Sequence, residues 1–124
     1  MRISILTGLI LVLAAGTSPR LPAKQLIEIR MRGFYFAAPA TIPVTVAVEP
    51  GANNRSLIVE VDGDDYFRSS GKDLDGENEK RFHTLEFTNL PAGRYALRAR
   101  VMSKSTVLGS AVEGLVVTGM STEP

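Results

Sequence analysis

Apolar and polar residues alternate along most of the chain after residue 25, and this period of two constrains the fold more than any other feature. The clearest example is residues 41–49, which carry isoleucine or valine at every second position from 42 to 48. No later stretch has the 3.6-residue apolar spacing of an amphipathic helix over three turns. The sequence therefore predicts an all-β protein.

Seven strands are predicted within about 100 residues, and turn residues separate them. They cover residues 26–32, 41–49, 56–62, 66–69, 82–88, 94–102 and part of 110–118. The two prolines in residues 33–43 favour an edge or a connection that switches sheets. A mobile loop is predicted after the short strand at 66–69. Strands with one apolar face each predict a two-sheet antiparallel sandwich for residues 24–119.

The sequence NLPAGRYALRARV predicts a sharp corner between the two sheets, at residues 89–101. Leu90 can plug the end of the core, Pro91 presets its own φ, and Gly93 permits a backbone conformation that is costly for other residues. Tyr95 is expected to bury its ring and to bond its hydroxyl to a backbone group a few residues upstream, as a tyrosine corner does.

With this corner, the segments FTNLPAGRYALRARV, IPVTVAVEP and GSAVEGLVV make the chain resemble exported bacterial immunoglobulin-like and fibronectin type III-like sandwich domains. Similar corners also occur in carboxypeptidase-regulatory-like and transthyretin-like sandwiches. The chain has no tryptophan, and Leu97 stands where antibody domains place a cysteine. The resemblance implies adhesion, spacing or recognition more often than catalysis.

The first 23 residues are predicted to be a secretory signal peptide. Arg2 precedes an apolar run over residues 3–15, which is shorter than the roughly 20 residues of a membrane-spanning helix. Cleavage is expected between Ala14 and Ala23, and an uncleaved membrane tether is the alternative. We therefore expect a periplasmic or secreted bacterial protein without a membrane span after cleavage, with a flexible tail at residues 120–124.

The composition places limits on stabilisation and on partners. The chain has no cysteine, so its stability must come from a hydrophobic core rather than from disulfides. The formal net charge of +1 provides no global attraction to nucleic acid. Arg94, Arg98 and Arg100 nevertheless share one face of a strand, with Lys104 beyond it. They predict either a surface for anions or a face paired with Glu60 and Asp62 on a neighbouring antiparallel strand.

An acidic run between residues 60 and 79 could bind calcium if its loop folds back on itself. The candidate ligands are Asp62, Asp64, Asp65, Asp73, Asp75 and Glu77. The segment has only part of the EF-hand spacing, and the alternative is a solvated loop without metal. No other cofactor is expected.

His83 is the only histidine, and it is expected to be a partly exposed strand residue. Because a catalytic triad would depend on it, and no serine lies in a nucleophile-elbow motif, the sequence does not favour an enzyme. Consecutive aromatic residues cannot all point inward, so Tyr35, Tyr66 and Phe67 form a candidate binding patch. The sequence predicts a non-catalytic module that binds protein or carbohydrate. The alternative is a calcium-stabilised or purely structural accessory subunit of a cell-envelope complex.

Overall fold

A computed structural model describes residues 26–119, and it confirms an all-β fold of two sheets. The predicted signal peptide and the predicted tail lie outside these residues. The elements are β1 (Ile27–Arg30), β2 (Tyr35–Ala37), β3 (Ala40–Val48), β4 (Ser56–Gly63), β5 (Phe67–Asp73), a 3-10 turn (Gly76–Asn78), β6 (Phe82–Leu90), β7 (Gly93–Met102) and β8 (Val107–Thr118).

The strands form one three-stranded sheet in the order β1-β3-β6 and one five-stranded sheet in the order β2-β8-β7-β4-β5. The described residues thus contain eight strands rather than about seven. The additional strand is β2, which pairs with the end of β8 in parallel, whereas the sequence predicted only antiparallel pairing. β1 belongs to the three-stranded sheet and β2 to the five-stranded sheet, so the chain crosses between the sheets after β1. A chain that crosses without reversing its direction can enter the second sheet parallel to its edge strand, which is β8.

The core lies between the two sheets and is built from the alternating positions. β3 contributes Ile42, Val44 and Val46, and each of these side chains is fully buried. β4 and β7 contribute the facing layer, which includes Leu57, Val59, Val61, Leu97, Ala99 and Val101. Burial of side chains such as these stabilises a fold by about 1.5–3 kcal/mol each before conformational entropy is subtracted.

A proline in β3 is tolerated because the strand has a partner on only one side at that point. Pro43 pairs with Glu86 of β6, whereas β1 covers β3 only from Thr45 to Val48. An N–H at position 43 would point to the side of β3 away from β6, where β1 no longer pairs with it. Proline, which has no N–H, therefore loses no hydrogen bond there. This part of β3 therefore behaves as an edge although the strand is central in its sheet.

Two strands are longer than the sequence predicted. β5 extends over Phe67–Asp73 instead of residues 66–69, and it pairs with β4 along its whole length where a mobile loop was expected. All seven of its residues are exposed, so it has no apolar alternation to reveal it. β8 begins at Val107 rather than near residue 110.

The described residues contain no helix long and apolar enough to cross a membrane.

Candidate functional site

The corner between β6 and β7 is closed by a hydrogen bond within five residues. The Tyr95 hydroxyl donates to the backbone carbonyl of Pro91 at 2.6 Å. Leu90 is fully buried beneath the corner, and Gly93 has a φ of +155°, which favours glycine. Asn89 also has a positive φ, of 58°, a conformation that asparagine tolerates better than most residues.

The Tyr95 ring is held by neighbours from the β4–β5 hairpin. Tyr66 packs against it edge to face, with ring centroids 6.2 Å apart. A Cβ atom on Gly63 would lie only 2.7 Å from two ring carbons of Tyr95, so glycine makes room for the ring. Burial raises the pKa of the Tyr95 hydroxyl, and Tyr66 and Asp65 raise it further. The hydroxyl therefore stays protonated and remains a donor.

The arginines of β7 pair with acids of β4, and they do so diagonally. Glu60 lies opposite Arg98 in the ladder, yet Arg98 bonds Asp62 at 2.8 Å, and Arg100 bonds Glu60 at 3.1 Å. The antiparallel neighbour relation of the two strands agrees with the sequence prediction. These pairs therefore engage Arg98 and Arg100, the two cations in the middle of the predicted cationic face, with acids of the neighbouring strand.

Arg94 differs from the two paired arginines. Within residues 26–119 it has no ion pair, and its side chain is exposed. It borders a groove of about 310 Å³, which we call the Tyr35 groove, lined by Phe34, Tyr35, Arg94, Tyr95, Gly114, Leu115 and Val116. Tyr35 is 75% exposed there. The groove thus places an exposed phenol beside apolar surface, together with a guanidinium that has no ion pair in the described part of the chain.

The three aromatic residues of the predicted patch do not lie together. Tyr35 and Phe67 belong to the two opposite edge strands of the five-stranded sheet, β2 and β5. Four strand spacings of about 4.8 Å separate these edges by about 19 Å. Tyr66 is half-buried against Tyr95 rather than displayed. Only Tyr35 borders the Tyr35 groove.

The acidic residues are divided between the two ends of the β4–β5 hairpin. Asp62 lies opposite Phe67, whereas Asp73 lies six residues further along β5, about 20 Å away. Asp64 and Asp65 belong to the first end, and Asp75 and Glu77 to the second. In the described part of the chain, no three acidic or histidine side chains cluster as metal ligands would. Calcium binding stays a prediction.

The prediction that His83 is partly exposed is wrong. Its side chain points between the sheets from β6, and the residue is 1% exposed. Neither ring nitrogen has a hydrogen-bond partner within the described residues. Burial lowers the pKa of His83, and nearby Lys72 lowers it further, against the opposing charge of Glu79. Position 83 shares its parity with Leu85 and Phe87, so alternation in the sequence already indicated an inward side chain.

Comparisons with known proteins bear on the fold of this chain. No family model matches the chain. No curated protein matches it. Among solved structures, it is similar to the sulfur carrier protein SoxY from Chlorobium limicola f thiosulfatophilum, with a TM-score of 0.54 and 20% sequence identity. The match covers 91% of this chain and 98% of the SoxY chain. At this identity the likeness shows a shared fold.

Proposed function

We propose that the chain is an exported, immunoglobulin-like accessory subunit that acts without catalysis by binding a protein partner at the Tyr35 groove. The observation that carries this proposal is the place of Tyr35, which is 75% exposed, in the same groove as Arg94, which has no ion pair within residues 26–119. Tyrosine and arginine are enriched among the residues that dominate binding at protein interfaces.

The order of the strands supports the immunoglobulin-like assignment. If β1, β3 and β6 are strands A, B and E, then β4, β7 and β8 take the places of C, F and G. β5 then extends the second sheet beside strand C. Folds of this type host many functions, so the surface rather than the topology has to support the function.

A protein partner agrees with the surface better than a carbohydrate does. A sugar-binding platform built from the predicted patch would need Tyr35 and Phe67 on one surface, whereas they lie at opposite edges of the sheet. An interface with a protein needs only one aromatic anchor with a polar group beside it, and the Tyr35 groove offers both.

In this proposal the chain shares its fold with SoxY but does not carry sulfur. SoxY is a sulfur carrier protein. The present chain has no cysteine, so it has no thiol on which a persulfide could form. A role as a non-catalytic subunit beside other exported proteins remains compatible with such a scaffold.

Site-specific photo-cross-linking tests the proposal in cells of the organism that encodes the protein. p-Benzoyl-phenylalanine in place of Tyr35 should give an adduct with a second protein, and Arg94→Glu should suppress it. The matched control places the same cross-linker at Glu86, which is exposed on the outer side of the other sheet. Equal adducts from both positions, or adducts from neither, would contradict the proposal.

A further inference from the structure

A cavity lies between the two sheets on one side of the sandwich. β5 is the last strand of the five-stranded sheet, and β6 is the last strand of the three-stranded sheet. The cavity between them has a volume of about 240 Å³, and we call it the His83 cavity. The side chains that define its chemistry are Leu57 and Val59 of β4, Ser70 and Lys72 of β5, and His83 and Leu85 of β6. Sites for drug-sized molecules measure about 300–1,000 Å³, so a ligand of this cavity would be smaller.

The buried polar group of the cavity is the imidazole of His83. The residue is 1% exposed, and neither ring nitrogen has a hydrogen-bond partner within residues 26–119. Burial lowers the pKa of the imidazole, and the backbone of Lys80 opposes this shift without reaching hydrogen-bond geometry. Even a closer contact with Lys80 would serve only one of the two nitrogens. Because buried polar groups in native proteins are nearly always hydrogen-bonded, the imidazole retains a nitrogen for a ligand.

A lysine at the mouth of the cavity adds positive charge. Lys72 lies opposite the buried Leu57 in the ladder between β4 and β5, so its side chain is on the side of the core. Within residues 26–119 it forms no ion pair. Its charge acts on the imidazole, since the pKa of His83 is lowered first by burial and then by Lys72. The opposing acid, Glu79, accepts a 2.7 Å hydrogen bond from the Asp75 N–H. The mouth of the cavity therefore favours an anion.

Apolar side chains form the walls. Leu57 and Val59 are each 1% exposed, and the half-buried Leu85 packs against the same core. Ser70 lies opposite Val59, which places its hydroxyl on the same side of β5 as Lys72. A ligand that fills this space needs an apolar body as well as a polar group.

We propose that the His83 cavity binds a small monocarboxylate with an apolar body. The apolar body packs on Leu57 and Val59, and the carboxylate lies between the Lys72 ammonium and the imidazole of His83, which donates its N–H. A hydrogen bond to a carboxylate is stronger than one between neutral groups. The ammonium selects for negative charge and the walls select for apolar surface, so the two together define this class of ligand.

This site is separate from the Tyr35 groove. The cavity lies at β5, whereas Tyr35 belongs to β2 at the opposite edge of the five-stranded sheet. The inference therefore does not rest on the proposed binding of a protein partner. Arg94→Glu, which should weaken partner binding, should leave binding of the carboxylate unchanged.

Three variants separate the cavity from its surroundings. Lys72→Gln removes the charge at the mouth and changes no backbone group of the ladder. Arg68→Gln is its matched control, because Arg68 lies on the same strand and the same side, opposite Val61, but outside the cavity. His83→Leu removes the imidazole and keeps an apolar side chain. Near-ultraviolet circular dichroism checks that it is folded, and Lys72→Gln tests the proposal even where His83→Leu fails to fold.

NMR titration of the purified, untagged protein with benzoate and with hexanoate tests the proposal. His83 is the only histidine of the chain, so its imidazole signals are unambiguous in proton–nitrogen spectra. These signals and the methyl signals of Leu57 and Val59 should shift together and saturate with at least one of the two acids. Benzamide and hexanamide keep the apolar bodies without the charge, and acetate keeps the charge without the apolar body.

Lys72→Gln, His83→Leu and replacement of the acid by its amide should each weaken binding at least about tenfold, while Arg68→Gln should bind like the parent protein. Acetate should bind at least about tenfold more weakly than the acid that saturates. The inference would be overturned by the absence of a saturable shift with both acids up to about 10 mM, ten times a millimolar Kd. Amides that bind as tightly as the acids, or unchanged binding in Lys72→Gln, would overturn it as well.

Discussion

The hydroxyl of Tyr95 donates a 2.6 Å hydrogen bond to the carbonyl of Pro91, four residues upstream, and so fixes the bend between the two sheets. The ring is 6% exposed and packs edge to face on Tyr66. The bond and the ring packing together hold the end of the core closed above Leu90.

Tyr95→Phe removes the bond and keeps the ring. We expect the free energy of unfolding to fall by about 1 kcal/mol, because the Pro91 residue is exposed and water can satisfy its carbonyl after the change. Urea unfolding followed by circular dichroism measures the difference. Tyr35→Phe is the control, since Tyr35 is exposed and should change stability little; equal effects of the two substitutions would contradict the account.

Gly63→Ala tests the close approach of the β4–β5 hairpin to Tyr95. The new methyl group would lie 2.7 Å from the ring, so the ring or the strand must shift, and we expect a loss of about 1–3 kcal/mol. Gly114→Ala is matched to it, since a Cβ there meets nothing within 4 Å. That substitution should be neutral or stabilising by up to about 1 kcal/mol. A harmless Gly63→Ala would show that the ring does not lie against Gly63.

The two diagonal ion pairs should differ in strength. The Asp62 side chain is 42% exposed, whereas that of Glu60 is 17% exposed. Solvent therefore screens the bond between Arg98 and Asp62 more than the bond between Arg100 and Glu60. Double-mutant cycles with Arg→Gln, Asp62→Asn and Glu60→Gln should give coupling of about 0.2–1 kcal/mol, with the larger value for Glu60.

Charge reversal provides an independent check on the same register. Arg98→Glu should lower stability, because the new carboxylate would lie opposite Glu60 and diagonal to Asp62. Added salt should reduce the effect by screening. A gain in stability on Arg98→Glu would mean that β4 and β7 are paired differently.

Stability should fall as the pH drops through the range in which a free histidine gains its proton, near 6.5. The pKa of His83 is lowered in the folded protein by burial, so the unfolded chain binds the proton first and is favoured as the pH falls. The loss levels off below the folded pKa. Urea unfolding at several pH values gives the free energy of unfolding as a function of pH. This free energy should change less with pH in His83→Leu than in the parent protein. An identical pH dependence in the two proteins would contradict the burial of the His83 imidazole without a hydrogen-bond partner among residues 26–119.

The parts of the fold that the sequence predicted are those in which one strand face is buried. β3, β4 and β7 have an apolar residue at every second position along the buried face, and their burial follows that alternation. The corner was also readable, because the proline, the glycine and Tyr95 stand at local spacings that define the turn.

The parts that the sequence did not predict depend on position in the sheet rather than on local pattern. β5 is stabilised by its ladder with β4, and its side chains are solvated on both sides, so it looks like a loop. The separation of Tyr35 from Phe67 results from the order of five strands, which no local motif encodes. His83 was misassigned because its residue type outweighed its inward parity.

The affinity of the protein for the partner cross-linked from position 35 tests the central claim most directly. Isothermal titration with the parent protein, Tyr35→Ala, Arg94→Glu and the control Glu86→Ala compares the Tyr35 groove with the opposite sheet. Tyr35→Ala and Arg94→Glu should each weaken binding at least about tenfold, or about 1.4 kcal/mol, while Glu86→Ala should have no effect. Unchanged affinity in both groove variants would contradict the proposed binding site.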